Sequence, residues 1–362
     1  MRRFAVNKEP GTGVSDDQVR PVRGKEPVMQ VRKAVITAAG HGARRGTAGD
    51  AVPGAMVPFV DRDGRTKPVL QVIAEEAIES GIEEICVVVA PGDEAVYRQA
   101  FGAAAAAPVG GDAQSAGSAV ADEAWPEQQG QRRADLARRL RFVVQEQPAG
   151  FGHAVWCARD FVGSEPFLLL VSDHLYISGE ERRCARQILD LAAQQDCSVA
   201  AVQATREHLI HQYGTVSGRR LSGLPNVFQI DRIIEKPTPS VAEQQLYVPG
   251  LRVGHYLCFF GMHVLTPGLF GILDEHIRQD CRERGRIELT PALQQLARQE
   301  RYLAVQANGR RYDIGVKYGF LEAQLAFAMS GADRDAVLVR IAELLLQCEQ
   351  ARPSAAGRKE PA

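Results

Sequence analysis

The stretch that decides the fold is KAVITAAG, residues 33–40, a short apolar run that ends in glycine. A run of this kind is typical of a buried strand in a parallel sheet. The next segment, Pro68 to Ser80, carries apolar side chains at helical spacing, and Gly81 follows it where a helix commonly ends. A second apolar run spans Ile85 to Ala90. Strand, helix and strand in this order predict a βαβ unit, and hence a parallel sheet with right-handed crossovers.

The rest of the chain continues this alternation and predicts one α/β domain. From Tyr213 the pattern changes to short strand-like pieces, which predict an appended part that is rich in strands and closed by helices. We expect further strands at 141–145, 167–172, 198–203, 214–217, 227–230, 232–236, 255–262 and 302–306, and further helices at 131–140, 153–160, 182–195, 269–279, 290–299, 318–330 and 333–350.

Composition shifts divide the chain into a main domain and loose ends. Residues 1–30 lack apolar periodicity and predict a flexible leader. The main domain is expected over 31–335, interrupted by a low-complexity insertion and a polar helix at 102–135. A C-terminal helix at 336–351 and a loose tail at 352–362 complete the organisation.

Composition also excludes several classes of protein. Apolar residues make up 45% and charged residues 24% of the 362, as in ordinary globular proteins. The formal net charge is −1, so we expect no nucleic-acid partner. The sequence has no apolar run long enough to cross a bilayer, and the basic N-terminus lacks the apolar stretch of a secretory signal. The seven scattered cysteines contain no CxxC pair, which favours reduced thiols in a cytoplasmic protein.

The first candidate site is the loop that follows the opening strand. It reads Ala39-Gly40-His41-Gly42-Ala43-Arg44. Glycines at the carboxyl end of a buried strand allow backbone N–H groups to approach a phosphate, and an arginine adds positive charge. Ligands of parallel α/β sheets bind at this edge. A tight turn explains the same glycines equally well.

The second candidate is a pair of aspartates. Asp173 follows the apolar strand at 167–172, in the sequence Ser172-Asp173-His174, and Asp313 precedes Gly315. A carboxylate at the edge of the sheet can hold Mg²⁺ against a nucleoside triphosphate. If Asp313 lies near Asp173, the pair suits a metal ion. Each aspartate is also typical of a simple turn.

Two further segments carry polar groups or glycines suited to a ligand. Glu235-Lys236-Pro237 offers a carboxylate for hydroxyl groups and an ammonium for a phosphate, although an exposed strand end stopped by proline has the same pattern. Gly150-Phe151-Gly152-His153 allows the backbone to approach a flat ring, although a histidine at the start of a helix is more often structural.

The order of these segments resembles that of bacterial UTP–glucose-1-phosphate uridylyltransferases, within the sugar-phosphate nucleotidyltransferases. The similarity runs from Lys33 to about Ser330. The segments that carry it are KAVITAAGHGARR (33–45), QPAGFGHAVWCA (147–158), LLLVSDHLY (168–176), YGTV (213–216), IIEKP (233–237), GRIELTPALQQLA (285–297) and RYDIGVKYGFLEA (311–323).

The resemblance implies a fold, a reaction and a set of roles. The fold is a Rossmann-like, mostly parallel mixed sheet flanked by helices, with a smaller sugar-binding part. The reaction joins glucose 1-phosphate to UTP by in-line attack on the α-phosphorus, and yields UDP-glucose and pyrophosphate. Self-association is also implied. The implied roles are Asp173 and Asp313 on Mg²⁺, Arg44 on the leaving phosphates, Lys236 on the sugar phosphate, Glu235 and the Gly214 backbone on sugar hydroxyls, and Ala39, Gly40, Gly42, Gln147 and Gly152 on the nucleotide.

One segment departs from the family pattern. The family continues its opening loop with Pro-Lys-Glu-Met-x-Pro, where the lysine neutralises the triphosphate and the glutamate helps to read uracil. Here the segment is PGAMVP (53–58), so that Gly54 and Ala55 replace those two residues. Arg45 or Lys67 can be considered as a substitute for the lysine. The departure leaves two alternatives open: a related transferase with another base or sugar, and a catalytically impaired relative that binds nucleotide sugars.

Overall fold

The computed structural model describes residues 29–40, 53–101 and 125–350. The strands are β1 (Lys33–Ala38), β2 (Pro58–Val60), β3 (Thr66–Pro68), β4 (Glu84–Val89), β5 (Leu140–Val144), β6 (Phe167–Val171), β7 (His174–Ser178), β8 (Ser198–Arg206), β9 (Gly214–Leu221), β10 (Leu224–Glu235), β11 (His255–Leu265), β12 (Tyr302–Gln306) and β13 (Gly309–Asp313). The α-helices are α1 (Val69–Glu79), α2 (Glu94–Phe101), α3 (Trp125–Arg139), α4 (Phe151–Cys157), α5 (Arg159–Val162), α6 (Cys184–Gln195), α7 (Pro239–Gln245), α8 (Gly268–Arg278), α9 (Leu289–Gln299), α10 (Gly319–Ser330) and α11 (Arg334–Gln350).

The centre of the fold is a mixed sheet with the strand order β5-β4-β1-β6-β11-β8-β12-β10-β9. The register shows that β10 and β11 run opposite to the other strands of this sheet, which share one direction. The predicted mostly parallel sheet is therefore confirmed. The predicted βαβ unit is also present, because β1 and β4 are parallel neighbours joined through α1.

Helices cover both faces of this sheet because its inner strands are apolar on both sides. Along β1, Ala34 and Ile36 belong to one buried cluster, whereas Val35 belongs to the other. Leu70 of α1 packs in the first cluster, and Leu293 of α9 packs in the second. Strands buried on both faces read as continuous apolar runs, and for this reason β1, β4 and β6 are visible in the sequence.

Two short ladders lie outside the main sheet, and the sequence analysis did not predict them. Strands β7 and β13 pair antiparallel, with His174 opposite Asp313. Strands β2 and β3 form a hairpin in which Phe59 lies opposite Lys67. The β7–β13 ladder continues from the carboxyl end of β6, and it brings both candidate aspartates to this edge of the fold.

Strand β10 and the cysteines bear on further expectations from the sequence. The two strand pieces expected at 227–230 and 232–236 form one strand, β10, with a register shift between Ile230 and Arg232. All seven cysteines lie in the described part of the chain as free thiols, and four of them are buried. Of the helices in that part, none combines the length and apolar character needed to span a bilayer. Residues 1–28 of the expected leader, the segment 102–121 and the tail 352–362 lie outside the described residues.

Candidate active site

Asp173 and Asp313 are brought together by the β7–β13 ladder. Strand β6 is bonded to β1, and beyond its end the Ser172 amide donates to the Thr37 carbonyl at 3.3 Å. Asp173 follows, and its own carbonyl accepts a hydrogen bond of 2.8 Å from the Ile314 amide. This bond extends the β7–β13 ladder by one residue. Asp173 and Asp313 therefore lie on adjacent segments of the chain, beyond the carboxyl end of the central strand β6.

The ligand atoms of Asp173, His174 and Asp313 lie within 4.8 Å of one another, and among the described residues they form a group able to hold a metal ion. His174 Nε2 is 3.6 Å from Asp313 Oδ2 and 3.9 Å from Asp173 Oδ1. A Cβ atom on Gly315 would lie 3.4 Å from Asp173 Oδ2. The expected proximity of the two aspartates is thus present. His174 is a site residue that the sequence alone does not predict, because its position opposite Asp313 depends on cross-strand register.

The electrostatics of Asp313 favour its ionised form. Burial alone would raise its pKa, but nearby His174, the Gly315 amide and Arg311 outweigh this effect and hold the pKa of Asp313 below its usual value. The Gly315 amide donates to Asp313 Oδ1 at 2.8 Å. Oδ2 lies 3.6 Å from His174 Nε2, so the partly buried aspartate presents one oxygen of an ionised carboxylate to the candidate metal site.

Gly214 and Glu235 lie side by side at the end of β10. They form a register pair between β9 and β10, and Glu235 Oε2 accepts a hydrogen bond of 2.7 Å from the Thr290 hydroxyl. A Cβ on Gly214 would lie 2.8 Å from the Phe259 ring and 3.0 Å from Glu235 Oε2. Glycine is therefore needed at 214 for packing, and the carboxylate of Glu235 is held in place by Thr290.

Lys236 follows Glu235 in a left-handed backbone conformation, with φ of 47°. Its amide donates to the Tyr213 carbonyl at 3.1 Å, and its Nζ lies 3.7 Å from Glu235 Oε1. The two side chains line a small cavity together with Glu288. Burial and the nearby Glu235 raise the pKa of Glu288. A half-exposed ammonium beside carboxylates suits a ligand that carries both phosphate and hydroxyl groups.

Tyr213 connects the pair Glu235 and Lys236 to the aspartates. The centre of its ring lies 6.4 Å from that of His174, and the Arg311 guanidinium stacks 3.7 Å from the tyrosine ring. Arg311 also donates to the Phe259 carbonyl. Arg311 is not among the candidate residues predicted from the sequence, and Tyr213 enters there only as the neighbour of Gly214. The sequence carries only a weak signal for Arg311, because apolar periodicity does not reveal a buried arginine inside a strand.

The predicted nucleotide side is described only in part. Ala39 is buried and Gly40 is exposed directly after β1. Gln147 is exposed, and its carbonyl accepts a hydrogen bond of 2.7 Å from the Ala149 amide. Gly42 and Arg44 lie outside the described residues. The roles expected for all five residues stay predictions.

Gly152 is needed for backbone packing, which the sequence analysis did not foresee. Its amide donates to the Ile287 carbonyl at 2.9 Å, and a Cβ at this position would lie 2.8 Å from the Glu288 carbonyl oxygen. The glycine-rich segment therefore packs closely on the segment at 285–288. His153 is also accounted for structurally, because its Nδ1 lies 3.0 Å from Gln145 Nε2.

The departure at Gly54 and Ala55 has a clear structural setting. Residues Gly54–Met56 form a 3-10 turn in which Gly54 is exposed and Ala55 is buried in the core. Lys67 does not replace the missing lysine in this arrangement. Its Nζ lies 2.6 Å from Asp61 Oδ2 and 2.7 Å from Glu75 Oε2, so its charge is already neutralised.

Comparison with known sequences identifies the family. The sequence model of the nucleotidyl transferase family matches residues 33–330. A relative from Bacillus subtilis named UTP–glucose-1-phosphate uridylyltransferase is 33% identical over 340 residues, which cover 89% of this chain and 100% of the relative. A second B. subtilis relative, named UTP–glucose-1-phosphate uridylyltransferase YngB, is 32% identical and covers 88% of this chain and 97% of the relative. The chain therefore belongs to the nucleotidyl transferase family.

Solved structures agree with this assignment. A crystal structure of UDP-glucose pyrophosphorylase complexed with UDP-glucose is 26% identical, with a TM-score of 0.64 over 82% of this chain and 98% of that chain. A UDP-glucose pyrophosphorylase from Acinetobacter baumannii is 24% identical, with a TM-score of 0.65 over 88% of this chain and 100% of that chain, and it supports the fold alone. The expected nucleotidyltransferase fold is thereby confirmed.

Proposed function

We propose that the protein condenses glucose 1-phosphate with UTP and releases UDP-glucose and pyrophosphate. The observation that carries this proposal is the convergence of Asp173 and Asp313 at the end of β6, together with their connection through His174 and Tyr213 to Lys236. Tyr213 links the two groups through its ring and its carbonyl. The names of the similar proteins favour UTP and glucose 1-phosphate as the substrates.

The reaction needs charge neutralisation and alignment more than proton transfer. The attacking oxygen belongs to the phosphate of glucose 1-phosphate, which is already ionised at neutral pH, so no general base is required. It attacks the α-phosphorus in line, a new P–O bond forms, and the bond to pyrophosphate breaks. Asp173 and Asp313 would hold Mg²⁺, which when bound neutralises phosphate charge. The residues position the two substrates for this displacement.

The sugar side supplies the positioning groups. Lys236 would bind the phosphate of the sugar phosphate, and Glu235 and the Gly214 backbone would accept or donate to sugar hydroxyls. The hydrogen bond from Thr290 restrains Glu235 for this role. On the nucleotide side we propose Ala39, Gly40, Gly42, Gln147 and Gly152, with Arg44 at the leaving phosphates.

A second candidate function is transfer from a nucleotide with another base. The observation that favours it is Ala55, which is buried in the core and carries no group able to read uracil. We therefore test both functions in one experiment. Purified protein is supplied with glucose 1-phosphate and Mg²⁺, and pyrophosphate release is measured with UTP, dTTP, CTP, ATP and GTP in turn.

Release with UTP alone supports the proposed function, and release with another nucleotide supports the second candidate. No release with any nucleotide would refute both and favour a binding protein. The variant Asp173→Asn should lose activity by at least about 10²-fold, because one of the two carboxylates that would hold the charge-neutralising metal ion is removed. The variant Asp160→Asn is the control, since Asp160 is exposed, pairs with the neighbouring Arg159 and is not one of the residues assigned to the site.

The remaining assignments stay proposals. Self-association is supported by three exposed leucines in sequence on α11, Leu344, Leu345 and Leu346. A cytoplasmic location is supported by the free cysteines. The near-neutral formal charge supports the expectation that nucleic acid is not a partner.

A further inference from the structure

We propose that His174 is a third ligand of the metal ion at Asp173 and Asp313, and that it shifts the site from Mg²⁺ towards Zn²⁺ and Co²⁺. This inference extends the proposed function, because it concerns the same metal site. It rests on three features of this chain: the spacing of the three side chains, the packing of the imidazole ring, and the chemistry of a nitrogen ligand beside two carboxylates.

The spacing fits an ion better than it fits direct hydrogen bonds. Hydrogen bonds between nitrogen and oxygen span about 2.7–3.2 Å. His174 Nε2 lies farther than this from both carboxylates, at 3.6 Å from Asp313 Oδ2 and 3.9 Å from Asp173 Oδ1. Zinc takes nitrogen and oxygen ligands at about 2.0–2.2 Å, so two ligands of one ion lie at most about 4.4 Å apart. Both distances lie inside this reach.

The imidazole ring of His174 packs against the backbone of β11 on the side away from the carboxylates. Its side chain is only 12% exposed, and a Cβ on Gly261 would overlap with Nδ1. Gly261 has φ of 87° and lies where the register of β11 against β8 shifts, so the backbone there leaves room for the ring. The edge of Tyr213 lies on another side, with ring centres 6.4 Å apart. The ring therefore packs against β11 while Nε2 faces the carboxylates.

The ligand chemistry then predicts the change in selectivity. Sites built from carboxylate, carbonyl and water oxygens suit Mg²⁺, whereas imidazole suits Zn²⁺ and other transition ions. Adding one imidazole nitrogen to two carboxylates strengthens binding of Zn²⁺ and Co²⁺ and does little for Mg²⁺. Nδ1 is buried and has no hydrogen-bond partner among the described residues, and Nε2 is the ring nitrogen that lies beside both carboxylates.

The test measures metal coordination directly. The wild type, His174→Asn and His174→Gln are loaded with Mn²⁺ in the presence of a non-hydrolysable UTP analogue, and pulsed EPR records coupling between Mn²⁺ and ¹⁴N. Calorimetric titrations of the same samples give the affinities for Zn²⁺, Co²⁺ and Mg²⁺. The control is His208→Asn, because His208 is exposed and outside the site. Circular dichroism confirms that each variant is folded.

We expect imidazole ¹⁴N coupling in the wild type and in the His208 variant, and its loss in both His174 variants. Affinity for Zn²⁺ and Co²⁺ should fall by about tenfold or more in the His174 variants, and affinity for Mg²⁺ by less than about threefold. Wild-type protein that binds Mn²⁺ without ¹⁴N coupling, or that binds none of these ions, would overturn the inference.

The outcome is separable from that of the proposed function. Coupling to ¹⁴N without pyrophosphate release from any nucleotide would support His174 as a ligand and refute the proposed reaction. Pyrophosphate release from UTP without coupling would support the reaction and overturn the role of His174.

Discussion

Replacing Lys67 by methionine should destabilise the protein by about 3 kcal/mol while leaving its chemistry intact. The Lys67 side chain is 7% exposed, and its Nζ contacts three carboxylates, at 2.6 Å (Asp61), 2.7 Å (Glu75) and 3.0 Å (Asp63). Methionine has similar length and no charge, so it removes the ion pairs and keeps most of the packing. The carboxylates are then left without their cation in a largely buried position.

The magnitude follows from how buried each partner is. Removing one member of a buried ion pair costs about 3–5 kcal/mol, and exposed pairs contribute about 0–1 kcal/mol. Asp61 is 11% exposed, whereas Glu75 and Asp63 are 21% and 33% exposed and keep part of their hydration. The lower end of the buried range therefore applies. At about 2–4 °C per kcal/mol, Tm should fall by about 6–12 °C.

The pKa of Lys67 determines how its contribution to stability changes with pH. Burial alone would lower the pKa of Lys67, but its hydrogen bonds with Asp61 and Glu75 raise the pKa above its usual value. A raised lysine pKa contributes stability that is complete below the ordinary lysine range and is lost only as pH rises above it. The difference in stability between wild type and Lys67→Met should therefore be constant between pH 7 and about pH 9.

The assay is urea unfolding followed by circular dichroism, with pyrophosphate release measured at 15 °C, where the variant is folded. The matched control is Arg138→Met. The side chains of Arg138 and of its ion-pair partner Asp135 are 72% and 47% exposed, so this substitution should change the free energy of unfolding by less than about 1 kcal/mol. A loss below about 1 kcal/mol in Lys67→Met would refute the structural role. A fall of about 10²–10³ in kcat without loss of stability would instead show that Lys67 meets the triphosphate.

Three further predictions concern the two substrate sides. Gly152→Ala places a Cβ 2.8 Å from the Glu288 carbonyl oxygen and should lower the free energy of unfolding, measured in urea, by about 1–3 kcal/mol. An unchanged midpoint of urea unfolding would contradict the close packing at this position. Lys236→Met should raise KM for glucose 1-phosphate by at least about tenfold and change KM for UTP little, and equal effects on both would argue against a sugar-phosphate contact. Gly54 is exposed and does not have a left-handed backbone, so a lysine fits there without strain. Gly54→Lys should raise kcat/KM for UTP by about tenfold or more, because it adds an ammonium near the triphosphate. An unchanged kcat/KM would mean that another cation already meets the triphosphate.

The main sheet was predictable because its inner strands are apolar on both faces. Strands β1, β4 and β6 begin and end within one residue of the expected bounds. The strands β7 and β13 were not predictable in the same way. They are short, they mix polar and apolar residues, and β13 reads Gly-Arg-Arg-Tyr-Asp, so that their pairing depends on tertiary structure.

Site residues are predictable from the sequence where the end of a single buried strand determines their position. Asp173 was selected because it directly follows a buried strand, and the same logic led to Ala39 and Gly40. His174 needed the register of a second strand, in which it lies opposite Asp313. Gly152 was selected for a nucleotide role, and its requirement for glycine arises from packing on the Glu288 backbone, which sequence spacing does not reveal.

The charges around the site explain why the metal position matters for this chain. The triphosphate and the sugar phosphate bring several negative charges, and Asp173 and Asp313 add two more. Among the described residues, Arg311 is buried and stacks on Tyr213, and Lys67 is neutralised by carboxylates. Lys236 and Arg284 line the small cavity beside Glu235, on the proposed sugar side, and position 54 carries glycine where the family pattern has a lysine. We therefore expect the positive charge at the triphosphate to be supplied by the metal ion and by the sequence segment that carries Arg44 and Arg45. Loss of the family lysine should therefore make turnover depend more steeply on divalent metal concentration, and Gly54→Lys should reduce that dependence.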